Sequence, residues 1–286
     1  MKIQHFVLTR FNLRLSWLMR GREWLGGTQE YLDERFRLFE RYCLPSMSKQ
    51  DADFRWLVFF SSQTPETFKE RVRLHQSSFP ALEPIFVDDC EPLSKPRSID
   101  IVMNEVLGRI DLDTTHYIET RIDNDDAFNV QALKWIRDCA EQSIAGGVGE
   151  KFYVMLPDGN IYIVRASFAQ RCRFKWNHFP SMVCRRDVHD HPFAIPHTAI
   201  NSSGCKVVEI NHPNAWLEVV HGSNQLNSLR PSKKPIYLSN QLMRTCFGIE
   251  ADMSPLRFAF SWLSMYLPSR IRFLVDRMSE RNNPRK

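Results

Sequence analysis

The strongest constraint on how this chain folds is an alternation. Short β-prone runs at residues 3–9, 54–60, 85–87 and 117–122 are separated by stretches whose apolar residues recur at helical spacing. In the first stretch Thr28 offers an N-cap, and Tyr31, Leu32, Phe36, Phe39 and Tyr42 fall near one face; Leu44-Pro45 predicts its end. Thr64-Pro65-Glu66 predicts a second helix to about His75, and residues 98–107 a third. A βαβαβαβ order requires a largely parallel sheet joined by right-handed crossovers. In such α/β folds ligands bind beyond the carboxyl ends of the strands.

The residues at those ends therefore matter. Arg10-Phe11-Asn12 follows the first run, Asp88-Asp89 the third, and Asp123-Asn124-Asp125-Asp126 the fourth. Three carboxylates within four residues repel one another unless a cation or an arginine neutralises them. Mg²⁺ and Mn²⁺ take oxygen ligands, and Mg²⁺ commonly uses one or two carboxylates with substrate phosphates completing its shell. The alternative is local: Asp123 as a turn or cap residue, with Asp125 and Asp126 favouring a helix N-terminus. No GxGxxG, GxxxxGK[ST] or EF-hand pattern offers another way to hold phosphate or calcium.

The second half is less regular. A helix is predicted over 129–141, a loop at Gly146-Gly147-Val148-Gly149, and a hairpin pairing 152–156 with 160–165 around Pro157-Asp158-Gly159. Residues 171–213, rich in aromatics, histidines and prolines, suit an acceptor pocket built from loops. Without repeats or a low-complexity linker, residues 1–253 read as one catalytic body. It divides into a regular half, about 1–130, and a less regular half, about 131–253, followed by a basic amphipathic tail at 254–286.

Formal charge is +5, and the tail has seven basic residues against Asp276 and Glu280, which is also +5. The near-neutral body argues against a broad nucleic-acid-binding face. Basic residues among Leu256, Phe260, Leu263, Ile271 and Leu274 suit either a membrane surface or packing on the body. The opening ten residues lack the apolar core of a signal peptide, and a cytoplasmic location is expected, peripheral on the inner face of the membrane if the tail binds lipid. Seven scattered cysteines without CxxC spacing point to reduced thiols.

Three segments together resemble a known family: Thr9-Arg10-Phe11-Asn12, the block Thr120-Arg121-Ile122-Asp123-Asn124-Asp125-Asp126-Ala127, and Trp216-Leu217-Glu218-Val219-Val220-His221-Gly222-Ser223-Asn224. Their types and order are similar to those of the bacterial "putative rhamnosyltransferase" family of GT-A-type glycosyltransferases, over most of the chain to about residue 227. The resemblance implies a GT-A-like fold with its nucleotide-sugar half at about 1–130 and its acceptor half at about 131–253, a nucleotide-diphosphate sugar donor such as a dTDP-deoxyhexose, a glycan or lipid-linked saccharide acceptor, and a Mn²⁺ or Mg²⁺ cofactor. It implies Asp123 and Asp125 as metal or ribose ligands, Asp126 at the donor sugar, and His221 as a third metal ligand. His221 otherwise reads as a surface or core-capping histidine.

Arg10 and Asn12 are the candidates for gripping the nucleotide, Asp88 for its base or ribose, and Arg97, ahead of a helix, for the diphosphate. Each also reads as an ordinary turn or loop residue. Arg121 shares a strand face with Asp123 and could meet phosphate, or simply pair with Glu119 or Asp123. An inverting transfer needs a base near the acceptor hydroxyl, and Asp187 and Asp190 are the candidates because related folds carry theirs between the DxD and the late histidine. His178, His189, His191 and His197 offer a weaker alternative, a zinc cluster. Two other functions remain open: a metal-dependent phosphohydrolase and a non-catalytic glycan-binding module.

Overall fold

The structure, a computed structural model, describes residues 1–19, 22–222, 232–251 and 253–282. In chain order the strands are β1 (Ile3–Arg10), β2 (Arg55–Ser61), β3 (Leu82–Val87), β4 (His116–Arg121), β5 (Ala127–Phe128) and β6 (Lys151–Met155). They continue as β7 (Asp158–Ile163), β8 (Phe168–Arg173), β9 (Ser181–Arg185), β10 (Lys206–Glu209), β11 (Trp216–Val220) and β12 (Pro235–Ile236). One sheet has the order β10-β6-β9-β4-β1-β2-β3 and a second the order β12-β8-β7-β11-β5. In the larger sheet only β9 runs against its neighbours, so the expected α/β class with a mostly parallel sheet flanked by helices holds.

Both faces of that sheet are covered, which is why its central strands read as continuous apolar runs. Val7, Trp56, Val58 and Phe60 meet the helices Gln29–Leu38, Glu66–Ser78 and Ala132–Ala145 through Phe36, Phe68, Val72 and Ile136. On the other face Phe6, Leu8, Leu57 and Phe59 meet Lys95–Leu107 through Val102 and Val106. The smaller sheet packs Leu217 and Val219 against Met243 and Phe247 of the helix Asn240–Phe247.

Local chemistry moves several predicted boundaries. Pro45 does not end the first helix: the chain passes through a π-helical turn, Phe39–Cys43, into Leu44–Ser48, with Pro45 in the first turn of that last segment. The expected helix over 98–107 starts at Lys95, because Ser94 accepts a capping hydrogen bond from the Arg97 amide and Pro96 suits the first turn. The one expected over 129–141 runs Ala132–Ala145.

The hairpin expected around Pro157-Asp158-Gly159 is not formed. β6 pairs with β9 and β10, whereas β7 pairs with β8 and β11. The turn instead carries the chain from one sheet to the other. Gly159 is needed there because a Cβ would lie 2.1 Å from the Trp216 ring. That indole is anchored in turn by donating from Nε1 to the Leu156 carbonyl at 2.8 Å.

Beyond Ser254 the chain forms one helical run, Pro255–Ser261, Trp262–Tyr266 and Leu267–Asn282. No helix among the described residues is long and apolar enough to cross a membrane.

Candidate active site

The acidic loop lies where the two sheets meet. β4 ends at Arg121, the chain turns through 122–126, and β5 pairs antiparallel with β11 in the register Ala127 to Leu217 and Phe128 to Trp216. This pairing explains why two segments nearly a hundred residues apart converge: β11 delivers Glu218, Val219 and His221 to the acids. Ser223 and Asn224 of the late motif lie outside the described residues.

The three aspartates, equivalent in the sequence, have different partners. Asp125 accepts hydrogen bonds on Oδ2 from Arg35 at 2.9 Å and from His221 Nε2 at 2.8 Å. Burial acts to raise its carboxyl, yet His221 and Arg35 together hold it below the ordinary carboxylate value. Asp126 accepts from the Val219 amide at 2.7 Å and meets His178 Nε2 at 3.1 Å. Burial and the neighbouring Asp125 charge push its carboxyl up. Burial works against protonation of His178, but its contact with Asp126 and the charges of Asp126, Asp123 and Glu218 outweigh this and raise it. Asp123 is half-buried, and among the described residues its carboxylate accepts no hydrogen bond.

Ligand atoms of Asp123, Asp126 and His178 lie within 4.8 Å of one another, the group among the described residues able to hold a cation. Two carboxylates and an imidazole fit Mn²⁺ or Mg²⁺, with phosphate or water oxygens completing the shell. The arrangement differs from the expected set of Asp123, Asp125 and His221. Asp125 and His221 are brought together, but as partners of each other.

Arg10 and Arg121 stand beside this loop, at the carboxyl ends of adjacent parallel strands. Their guanidinium carbons lie 4.2 and 4.3 Å from the Phe193 ring centroid. Among the described residues neither meets a carboxylate at ion-pair distance, so the pairing of Arg121 with Glu119 or Asp123 is not formed, and Nε of Arg121 is buried without a partner. Burial and the charge of Arg121 bring Arg10 down to about 10 against the opposing effect of Asp123. Two cations left unmatched in a low-dielectric environment are costly, and an anion would relieve that cost.

Other expected residues stand elsewhere. Asn12 is buried and fully used: its amide donates to the Gly26 carbonyl and to Thr64, and its oxygen accepts from the Ser61 amide. That makes it a brace for the loop after β1 rather than a ligand-facing group. Asp88 is exposed and accepts from the Cys90 amide at 3.3 Å, while the buried Asp89 fixes Arg14 and Ser61. Arg97 projects from the first turn of its helix and is exposed.

The structure does not bring Asp187 or Asp190 to the acids. β9 is antiparallel to β4, with Arg185 opposite His116 and Ser181 opposite Thr120, so the chain leaves β9 at the amino end of the sheet. Asp187 there makes a bidentate ion pair with Arg185 on the surface, and Asp190 accepts from Lys151 at 2.5 Å. The alternative zinc cluster does not assemble either. His191 is buried against Glu119, His197 meets the Trp176 carbonyl, and His189 lies beside Asp187.

Sequence reasoning missed Arg35 and gave His178 only as a member of the alternative zinc cluster, not as a partner of the acids. Arg35 lies on a helix read only for its apolar face, and His178 precedes β9, a strand whose direction no local pattern reveals. A mostly parallel sheet with clustered carboxylates at its carboxyl edge, beside arginines that meet no carboxylate among the described residues, places the protein among the α/β folds, a class whose ligands bind beyond the strand ends. A family model described as "Putative rhamnosyl transferase" matches residues 25–233, well over half of the chain, and the chain belongs to this family of glycosyltransferases.

Among solved structures, Staphylococcus aureus TarS 1–349 is similar at 12% identity and a TM-score of 0.42, over 77% of this chain and 60% of that one. Its complex with UDP gives 12% and 0.41, over 77% and 61%. A "putative nucleotide-diphospho-sugar transferase" from Desulfovibrio desulfuricans G20 gives 10% and 0.35, over 75% and 82%. This chain thus spans 60% of the length of the first TarS structure. No curated protein matches the sequence.

Proposed function

We propose that the protein transfers a deoxyhexose, rhamnose in the family's sense, from a nucleoside-diphosphate donor to a hydroxyl of a glycan or lipid-linked saccharide. The observation that carries this reading is the Asp123 carboxylate, which accepts no hydrogen bond among the described residues, lies within reach of Asp126 and His178, and stands beside two arginines that meet no carboxylate at ion-pair distance among those residues. A divalent ion, Mn²⁺ or Mg²⁺, would be held by Asp123, Asp126 and His178; when bound it would supply charge stabilisation for the departing diphosphate.

The chain's own residues divide the remaining work. Arg10 and Arg121 would hold donor phosphate oxygens through charge-assisted hydrogen bonds. Arg35 and His221 hold Asp125, and with it the loop, in place before any ligand arrives. Val219 fixes one Asp126 oxygen through its amide and leaves the other facing His178. We take the transfer to be inverting, a single displacement in which a base removes the acceptor proton as the diphosphate leaves. The positions of Asp187 and Asp190 support neither as that base. A phosphohydrolase of the kind with a nucleophilic acid after its first strand is disfavoured because β1 ends in Arg10 and is followed by Phe11 and Asn12, with no acid there.

The test is a thermal-shift panel of nucleotide-sugars with and without Mn²⁺. At least one deoxyhexose donor is expected to stabilise the protein more when the metal is present. Equal melting temperatures with every donor, metal or none, would overturn the reading.

A further inference from the structure

The loop after β9 leaves the larger sheet at its amino end and returns to the carboxyl end along one face of β4. Tyr117, Glu119 and Arg121 alternate along that strand and so line the same face. Each meets the loop at a successive point. The Tyr117 hydroxyl donates to the Val188 carbonyl at 2.7 Å, the buried Glu119 carboxylate shares a hydrogen bond with Nδ1 of the buried His191, and the Arg121 guanidinium lies over the Phe193 ring. The His191 and Phe193 rings meet edge to face, 5.0 Å between centroids. Lys151 of β6 adds an ion pair to Asp190.

The loop thereby delivers one buried aromatic ring to two cations. Arg10 and Arg121 lie at the carboxyl ends of adjacent parallel strands, and their guanidinium carbons are 4.2 and 4.3 Å from the centroid of Phe193. A ring face attracts a cation through its quadrupole, more strongly where water is excluded. An acidic partner would also attract them, but its oxygens would take up their N–H groups. A phenyl ring has no lone pair to do so. Phe193 steadies both guanidiniums and leaves N–H donors for the oxygens of an anion; Nε of Arg121, buried without a partner, is one such donor. Ordering the two side chains before a ligand arrives removes a cost that binding would otherwise carry.

We propose that Phe193 is a positioning residue for the donor, holding Arg10 and Arg121 together in the orientation that grips the diphosphate of a nucleotide-sugar. The inference rests on the donor-binding role proposed above for these arginines. Phe193 acts through the two cations and takes no part in the displacement itself.

The test is calorimetric titration of the full chain with UDP and with dTDP, for the parent, Phe193→Leu and Phe193→Tyr. Phe193→Leu keeps the site apolar without the ring and is expected to weaken binding about tenfold, whereas Phe193→Tyr keeps the ring face and should stay within about twofold of the parent. In an Arg121→Gln background the change to leucine should cost only about threefold, since one of the two cations is already gone. Should Phe193→Leu fail to fold, Phe193→Met, which also lacks a ring, takes its place. A Phe193 that merely fills space would give equal binding in the parent and the leucine variant, an equal loss with leucine and tyrosine, or the same loss in both backgrounds, and each of these would overturn the proposal. A parent that binds neither nucleotide overturns the donor reading and this inference with it; a parent that binds as tightly as its leucine variant overturns this inference alone.

Discussion

The two ends of the larger sheet carry similar residues in opposite circumstances. At the amino end, Lys2 meets Asp111 at 2.8 Å and Asp113 at 2.7 Å, and Arg185 meets Asp187 and Glu150, all with substantially exposed side chains. At the carboxyl end, Arg10 and Arg121 are largely enclosed and meet no carboxylate at ion-pair distance among the described residues, while Asp123, Asp125 and Asp126 crowd together. Exposed pairs in water contribute little to stability and ask nothing of a ligand. Enclosed charges left unmatched are tolerated only when something else benefits from them. Composition cannot separate the two ends; partner geometry does.

The largest effect that would sharpen this contrast is expected at Asp123. Asp123→Asn should lower sugar-transfer turnover on the order of 1,000-fold by removing the unpaired metal-facing charge, with little change in melting temperature. Retained turnover, or a collapse of the fold, would place Asp123 among the structural residues.

Asp125→Asn should give the opposite signature. It leaves Arg35 enclosed without its carboxylate, at a cost of about 3 kcal/mol in unfolding free energy. The same bond has a pH consequence. Because the folded-state carboxyl of Asp125 sits below its ordinary value, its contribution is present above that ordinary value, near 3.8, and is lost as pH falls through the folded value. Acid unfolding of Asp125→Asn should therefore show a shallower loss of stability below about pH 4 than the parent. Parallel acid curves would break the distinction between the two aspartates.

Arg121→Gln and Arg10→Gln come next, each weakening donor binding roughly 10- to 100-fold through a lost charge-assisted hydrogen bond. Stability should hold or rise, because an unmatched enclosed cation is removed. Calorimetric titration of the nucleoside diphosphate checks the first expectation and thermal unfolding the second.

How much of this was legible in the sequence depends on how locally each part is encoded. The strands with polar ends, and the acids after the fourth, are contiguous patterns, and the parallel order alone assigns them to the carboxyl edge. The meeting of His221 with Asp125 was readable from two separated motifs, though as shared metal ligation rather than a direct hydrogen bond. The bracing role of Asn12 is not legible in the sequence, because its amide is spent on Gly26 and Thr64, the latter 52 residues away. The hairpin expected after β6 failed for a similar reason. Its two strands are recruited by different sheets, and only Gly159 beneath Trp216 records the crossing.

The reversal of β9 had the widest consequence. Read without its direction, the chain after residue 185 offered Asp187 and Asp190 as bases near the acids. Antiparallel pairing with β4 instead sends residue 185 to the amino edge, roughly 15–20 Å away along a six-residue strand. The same reversal brings His178, just before β9, to the acids.

The smallest effect is therefore expected at Asp187. Asp187→Asn removes one member of an exposed ion pair with Arg185, whose guanidinium keeps Glu150 as a second partner. Turnover should stay within about twofold of the parent and stability within about 0.5 kcal/mol. A base in an inverting displacement contributes about 100- to 10,000-fold, so a loss of that size on substituting Asp187 would be unmistakable in a steady-state assay. It would mean that Asp187 itself moves to the carboxyl edge when substrates bind, where Phe193 of the same loop already meets Arg10 and Arg121, and the division between a solvated end and a reactive end would fail at its most exposed member.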